Sequence, residues 1–187
     1  MRRAEFLKLV DLSSEALKSL IRRKHVRLAN EAEGRGWGEY TAEDALLTRL
    51  GLELSDDGLS QRVAAGIVEE KASELAAACD RLNDESLEHL YFGLIRERTH
   101  APADSTVPDA ETDVPMVGTF GDLQHAYRVR SESLMVVPVD QLGLVRRARG
   151  IRLIDVSLIA YEIRERAKLA GLPRPTFWKR RKGGKGS

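Results

Sequence analysis

Between residues 2 and 60 the apolar residues recur at helical spacing in blocks too short to stand alone, and this limits the fold more than any other feature. Phe6, Leu9 and Val10 share one face of a helix over residues 3–10. Asp11, Leu12 and Ser13 form a turn, and Ser13 or Ser14 can cap the next helix, because a hydroxyl accepts from an orphan N–H of the first turn. In that second helix, residues 14–24, Ala16, Leu17, Leu20 and Ile21 face inward. Its outward set is Ser14, Glu15, Lys18, Ser19, Arg22 and Arg23. Isolated helices shorter than about 12–15 residues are marginal in water. The two must therefore pack on each other and on later parts of the chain, the arrangement of a helix-turn-helix.

A glycine-rich segment comes next. Residues 27–40 read as a β-hairpin, with Gly34, Gly36 and Gly38 permitting the positive φ angles of a tight tip. Arg35 lies at that tip, and Trp37 and Tyr40 lie on the return strand. Thr41 and Asp44 make a near capping box for a helix running to about Leu54, with Leu46, Leu47, Leu50 and Leu54 inside. Ser55, Asp56, Asp57 and Gly58 stop it. Ser60 caps a longer helix that reaches about Leu82. Its inner positions Ala64, Val68, Ala72, Leu75, Cys79 and Leu82 are spaced 4, 4, 3, 4 and 3 apart, close to a heptad seam. We read this seam as an antiparallel homodimer contact through helix 60–82, in preference to packing on the chain's own C-terminal half.

Charge sharpens the functional expectation. The net charge is only +1, yet residues 1–27 carry eight Lys/Arg against three Asp/Glu, and residues 42–88 carry four against twelve. Residues 173–187 carry six basic residues and no acid. Basic ends around an acidic middle imply local attraction to a polyanion. Helix 14–23 is expected in the major groove of double-stranded DNA. There the short polar residues at its start approach base edges, and Lys18 and Arg22, one turn apart, reach guanine or phosphate; Ser13, Ser14, Glu15, Ser19 and Arg23 are expected among the DNA-binding residues with them. Arg35 would touch the minor groove or a phosphate, and Trp37 is either a wing contact or a packing residue.

The order of these parts resembles the DNA-binding domain of the MerR family. That family reads Gly-Tyr-Arg-x-Tyr, Ser/Thr-x-Glu-Asp, a Leu-rich helix, then Gly-Phe/Leu-Ser. Gly36-Trp37-Gly38-Glu39-Tyr40, Thr41-Ala42-Glu43-Asp44 and Gly58-Leu59-Ser60 fill those places, over about residues 3–80. Where the family continues Leu-Arg-Tyr-Tyr-Glu, this chain has Leu17-Lys18-Ser19-Leu20-Ile21, and Arg35 stands near the place of the wing Arg. The chain is also similar to small MerR-like and excisionase-like proteins of phages and mobile elements. The resemblance implies a winged helix-turn-helix, with the wing at residues 30–38. It also implies a bacterial or phage transcriptional regulator.

The second half reads as α+β. Residues 83–98 suit helix through Leu87, Leu90 and Leu94, or strand through Tyr91 and Phe92. Residues 99–115, with three prolines, four acids and no Lys or Arg, read as an exposed loop and the best boundary. Short strands are expected at 116–120, 134–139 and 151–154, a helical turn at 121–128, and a helix at 141–149 ending in Arg146, Arg147 and Arg149. A helix from Val156 to Ala170 comes after them, with Val156, Ile159, Ala160, Ile163 and Ala167 inward and Gly171 and Pro173 ending it. The tail 173–187 is expected to bury nothing. Phe177, Trp178, Lys179, Arg180, Arg181 and Lys182 suit a grip on a phosphate backbone or, through the two aromatics, docking onto a partner, against a floppy solubilising end.

The expected fold class is mainly α with small β content. The expected division is a winged helix-turn-helix domain at 1–82, an α+β domain at 83–172 and a basic tail at 173–187. Cys79 is the only cysteine, with no Cys/His spacing for zinc, and it reads as a small buried side chain. No apolar run reaches the roughly 18–20 residues of a membrane span, so a cytoplasmic setting is expected. No P-loop, dinucleotide fingerprint or nucleophile elbow occurs, and His25, His89, His100 and His125 are scattered. Neither an enzyme nor a cofactor is expected. The competing expectation is an interaction or ligand-sensing protein, in which residues 83–172 take a protein partner or a small ligand.

Overall fold

A computed structural model of the chain describes residues 1–26, 40–100, 110–132, 135–136 and 145–178. The expected hairpin at 27–39, with Arg35 and Trp37, lies outside the described residues, as do Lys179, Arg180 and Arg181. The fold is mixed: helices and an antiparallel sheet, divided into a helical unit (Met1–Glu88 with Val156–Ser187) and a sheet unit (His89–Asp155).

The helical unit begins with α1 (Arg3–Val10), which buries Phe6, Leu9 and Val10 and ends at Asp11 in the left-handed conformation, φ 56°. Then comes α2 (Ser14–Arg22), capped by Ser13, whose hydroxyl accepts from the Ala16 N–H at 3.1 Å. Leu17 and Leu20 are buried. Tyr40 is buried and stacks on Phe6 with ring centroids 4.4 Å apart. Next, α3 (Ala42–Asp56) opens with a complete capping box. The Asp44 N–H donates to Thr41 Oγ1 at 3.1 Å and the Thr41 N–H to Asp44 Oδ2 at 2.8 Å, so the shorter carboxylate suffices. Leu46, Leu50 and Leu54 are buried, whereas Leu47 is half-buried. Gly58, at φ 97°, ends this stretch where a side chain would be strained.

The single helix expected to Leu82 is two: α4 (Gln61–Ala77) and α5 (Cys79–Asn83). Ala78, at φ −94° and ψ 15°, breaks the ladder between them. The seam is a second correction. Ala64, Val68, Leu75, Cys79 and Leu82 are buried within this one chain, which leaves that face unavailable for a homodimer through helix 60–82.

The cover comes partly from far along the sequence. Helix α7 (Val156–Leu169) buries all five residues its periodicity selects and packs on α1, α3 and α5. The Arg166 guanidinium donates to the Leu9 carbonyl at 3.2 Å. Gly171, at φ 67°, and Leu172 return N–H groups to the Lys168 and Ala167 carbonyls, an ordinary glycine stop. The helical core therefore closes only with residues after 155, and the boundaries lie at 88/89 and 155/156 instead of 82/83.

The sheet unit has strand order β2-β1-β4-β3, with antiparallel pairings: β1 (Tyr91–His100), β2 (Ala110–Gly118), the two-residue β3 (Met135–Val136) and β4 (Val145–Asp155). Residues 110–115, read as loop, are strand, because Arg98 and Arg96 stand opposite Glu111 and Asp113. Arg96 Nε donates to Asp113 Oδ1 at 3.1 Å. Pro115 is tolerated because β2 is an edge. Arg146, Arg147 and Arg149, read as a helix end, lie on β4, which pairs with β1 along its length apart from a bulge at Arg96/Glu97. Phe120, read as strand, opens α6 (Phe120–Glu132), which packs on the sheet through Leu123. Of residues 134–139, Met135 and Val136 pair as strand.

Candidate nucleic-acid interface

The stripe Leu17 and Leu20 turns α2 inward, so its other side is fixed by geometry. Ser13, Ser14, Glu15, Lys18, Arg22 and Arg23 are exposed, and Ser19 is half-buried. Lys18 Nζ lies 2.7 Å from Glu15 Oε1. That hydrogen bond, with the lysine's charge, holds the Glu15 carboxyl below the usual carboxylate range. Glu15, Lys18, Ser19, Ile21 and Arg22 line a shallow concavity of about 360 Å³. Arg22 and Arg23 add two cations at the helix end, where they also complement its dipole.

Two contacts hold this helix in place. Arg3 donates to the Ser14 carbonyl at 2.9 Å, tying the start of α1 to the start of α2. At the far end His25 Nδ1 lies 3.1 Å from Gln61 Oε1 at the start of α4. The amino terminus is held in turn at the start of α3, with the Met1 ammonium 2.5 Å from the Tyr40 carbonyl. The structure thus gathers Ser13, Ser14, Glu15, Lys18, Ser19, Arg22 and Arg23 on one helix and its flanks.

The tail departs from expectation. Pro175 and Phe177 are buried, Phe177 completely. The Asn83 amide donates to the Phe177 carbonyl at 2.7 Å, and the Phe177 N–H donates to Asn83 Oδ1 at 3.0 Å. Arg164, buried to 6% exposure, lies 5.2 Å from the Phe177 ring centroid. Its guanidinium also donates to the Leu82 and Pro175 carbonyls and faces Glu85. Burial lowers the Arg164 pKa from its ordinary value; Arg174 adds to this and Glu85 opposes it. The Trp178 N–H donates to Glu43 Oε1 at 2.6 Å. Two aromatics close together in a basic end are the only sequence signal of this clasp.

Among the described residues, no group of three His, Cys, Asp or Glu side chains could hold a metal ion. No described helix is long and apolar enough to cross a membrane. The cleft of about 450 Å³ lined by Glu85, Tyr161, Arg164, Glu165, Lys168, Leu172 and Arg174 has mixed charge, its arginines already facing Glu85. Comparison of the chain with models of known protein families and with curated proteins yields no match.

Proposed function

We propose that this protein is a sequence-specific DNA-binding regulator of bacterial or phage type that lays α2 in the major groove. The observation that carries the reading is the division of α2, with Leu17 and Leu20 buried and Ser14, Glu15, Lys18, Arg22 and Arg23 exposed. A short, capped, cationic helix braced at both ends presents side chains to base edges with little loss of conformational freedom. Serines at its start suit base edges, and Arg22 and Lys18, one turn apart, suit guanine or phosphate. The resemblance to the MerR DNA-binding domain belongs to this proposal, as does a wing formed by residues 30–38. Selection of fragments bound from sheared genomic DNA at physiological salt tests it. Enrichment of one sequence class supports the reading; a bound pool indistinguishable from the input contradicts it.

One observation favours a second role. The sheet unit is an insertion, leaving the helical unit at Glu88 and returning at Val156. Its first and last strands are antiparallel neighbours, with Tyr91 opposite Asp155, and His89 Nδ1 lies 2.7 Å from Asp155 Oδ2. An insert closed at its own base suits partner recruitment or ligand sensing without disturbing the helices. Full-length protein compared with a variant whose residues 89–155 are replaced by a short linker separates the roles: loss of regulation with retained DNA binding assigns the insert to recruitment or sensing.

A further inference from the structure

We infer that Ile21 is the apolar floor of the concavity on α2 and seats the 5-methyl group of a thymine, so that this residue reads a T·A pair in the major groove. The inference rests on the DNA-binding reading above and names one base that the helix recognises.

Spacing places Ile21 in the inward set of α2, yet it stands at the edge of that set. Leu17 and Leu20 are buried, whereas Ile21 is half-buried. It lines the concavity of about 360 Å³ together with Glu15, Lys18, Ser19 and Arg22, and among these five it is the one with no polar side-chain atom. A helical side chain covers the surface over the turn before its own Cα, so Ile21 lies beside Lys18. The Lys18 ammonium is drawn the other way, toward the start of the helix, where it lies 2.7 Å from Glu15 Oε1. A β-branched residue on a helix has one strongly preferred χ1 rotamer, so the methyl groups of Ile21 are held without further support. The helix is braced before and after them, by Arg3 on the Ser14 carbonyl and by His25 beside Gln61.

The rim decides what the hollow takes. Lys18 and Arg22, one turn apart, flank the apolar floor. That combination suits an apolar group carried by a polyanion. In the major groove the thymine methyl is that group, lying among hydrogen-bonding base edges and between phosphates. Cytosine presents an N–H donor there, which Ile21 cannot accept. An apolar patch on a partner protein would gain nothing from the cationic rim.

The test uses the full chain and a fluorescent duplex carrying the sequence selected from genomic DNA. The duplex is made in two forms, one with thymine and one with deoxyuridine at every thymine, which differ only in the 5-methyl groups. Anisotropy should show the deoxyuridine form bound roughly three- to fivefold more weakly, the factor expected when one apolar carbon stays in water. Restoring thymine one position at a time should locate the methyl that Ile21 meets. Ile21→Ala, checked by circular dichroism for an intact helical signal, should bind the two forms about equally. Ile21→Val, the milder change for folding, should keep only part of the preference. Equal binding of both forms by the unaltered chain overturns the inference, as does a selected sequence without thymine. A deoxyuridine penalty that persists undiminished in Ile21→Ala also overturns it, since another residue or the shape of the duplex then senses the methyl. Each of these outcomes leaves the DNA-binding reading standing, whereas failure of the unaltered chain to bind any duplex ends both.

Discussion

Glu15 and Lys18 pair with each other, and both are exposed, so their pair is weak and screened by salt. A phosphate can take Lys18 from it. If α2 enters the groove as proposed, Glu15→Gln removes both the competitor and a negative charge on the proposed DNA-facing side, and should tighten DNA binding a few-fold at low salt and less at high salt. Fluorescence anisotropy across a salt series reads this directly; weaker binding would mean that Glu15 itself contacts a base. At Arg164 the effect is on stability. Replacing it with Leu strands the Leu82 carbonyl, removes a donor from Asn83 Oδ1, and should cost about 2–4 kcal/mol in urea unfolding. Gly93 has a different reason to be what it is. A Cβ there would lie 3.1 Å from both Leu123 methyls, so Gly93→Ala should destabilise the sheet unit by about 1–3 kcal/mol.

At the level of elements, local signals are readable wherever a helix owes its ends to its own residues. Ser13, the Thr41 and Asp44 pair, Ser60 and Gly171 mark the boundaries of α2, α3, α4 and α7, and the five inward residues of α7 come from spacing alone. Thr41→Ala should accordingly cost about 1 kcal/mol, measured by thermal melting. Strands are legible only in part. The β4 stretch Arg146, Arg147, Ala148 and Arg149 consists of good helix formers, and it becomes strand because β1 pairs with it from some fifty residues away. The acidic residues of β2 read as a loop until Arg96 and Arg98 stand opposite them. The burial of Phe177 is the extreme case, depending on Asn83, 94 positions earlier. The exposed face of α2, by contrast, is legible because burial of Leu17 and Leu20 decides it.

Taken whole, the chain is a helical unit interrupted by a sheet unit. The helical core includes Ile159, Ile163 and Phe177, all buried, and each such side chain is worth about 1.5–3 kcal/mol. A fragment of residues 1–88 lacks all three and should show no cooperative thermal transition by circular dichroism, unlike the full chain. A sharp transition in that fragment would mean that α7 is dispensable. The central claim concerns α2, and salt-dependent duplex binding of the Lys18→Ala, Arg22→Ala double variant tests it most directly. The account predicts a sharply weaker complex and a salt slope reduced by about 0.9 for each of the two cations that meets a phosphate. A double variant that binds its selected sequence with unchanged affinity and an unchanged slope would contradict it.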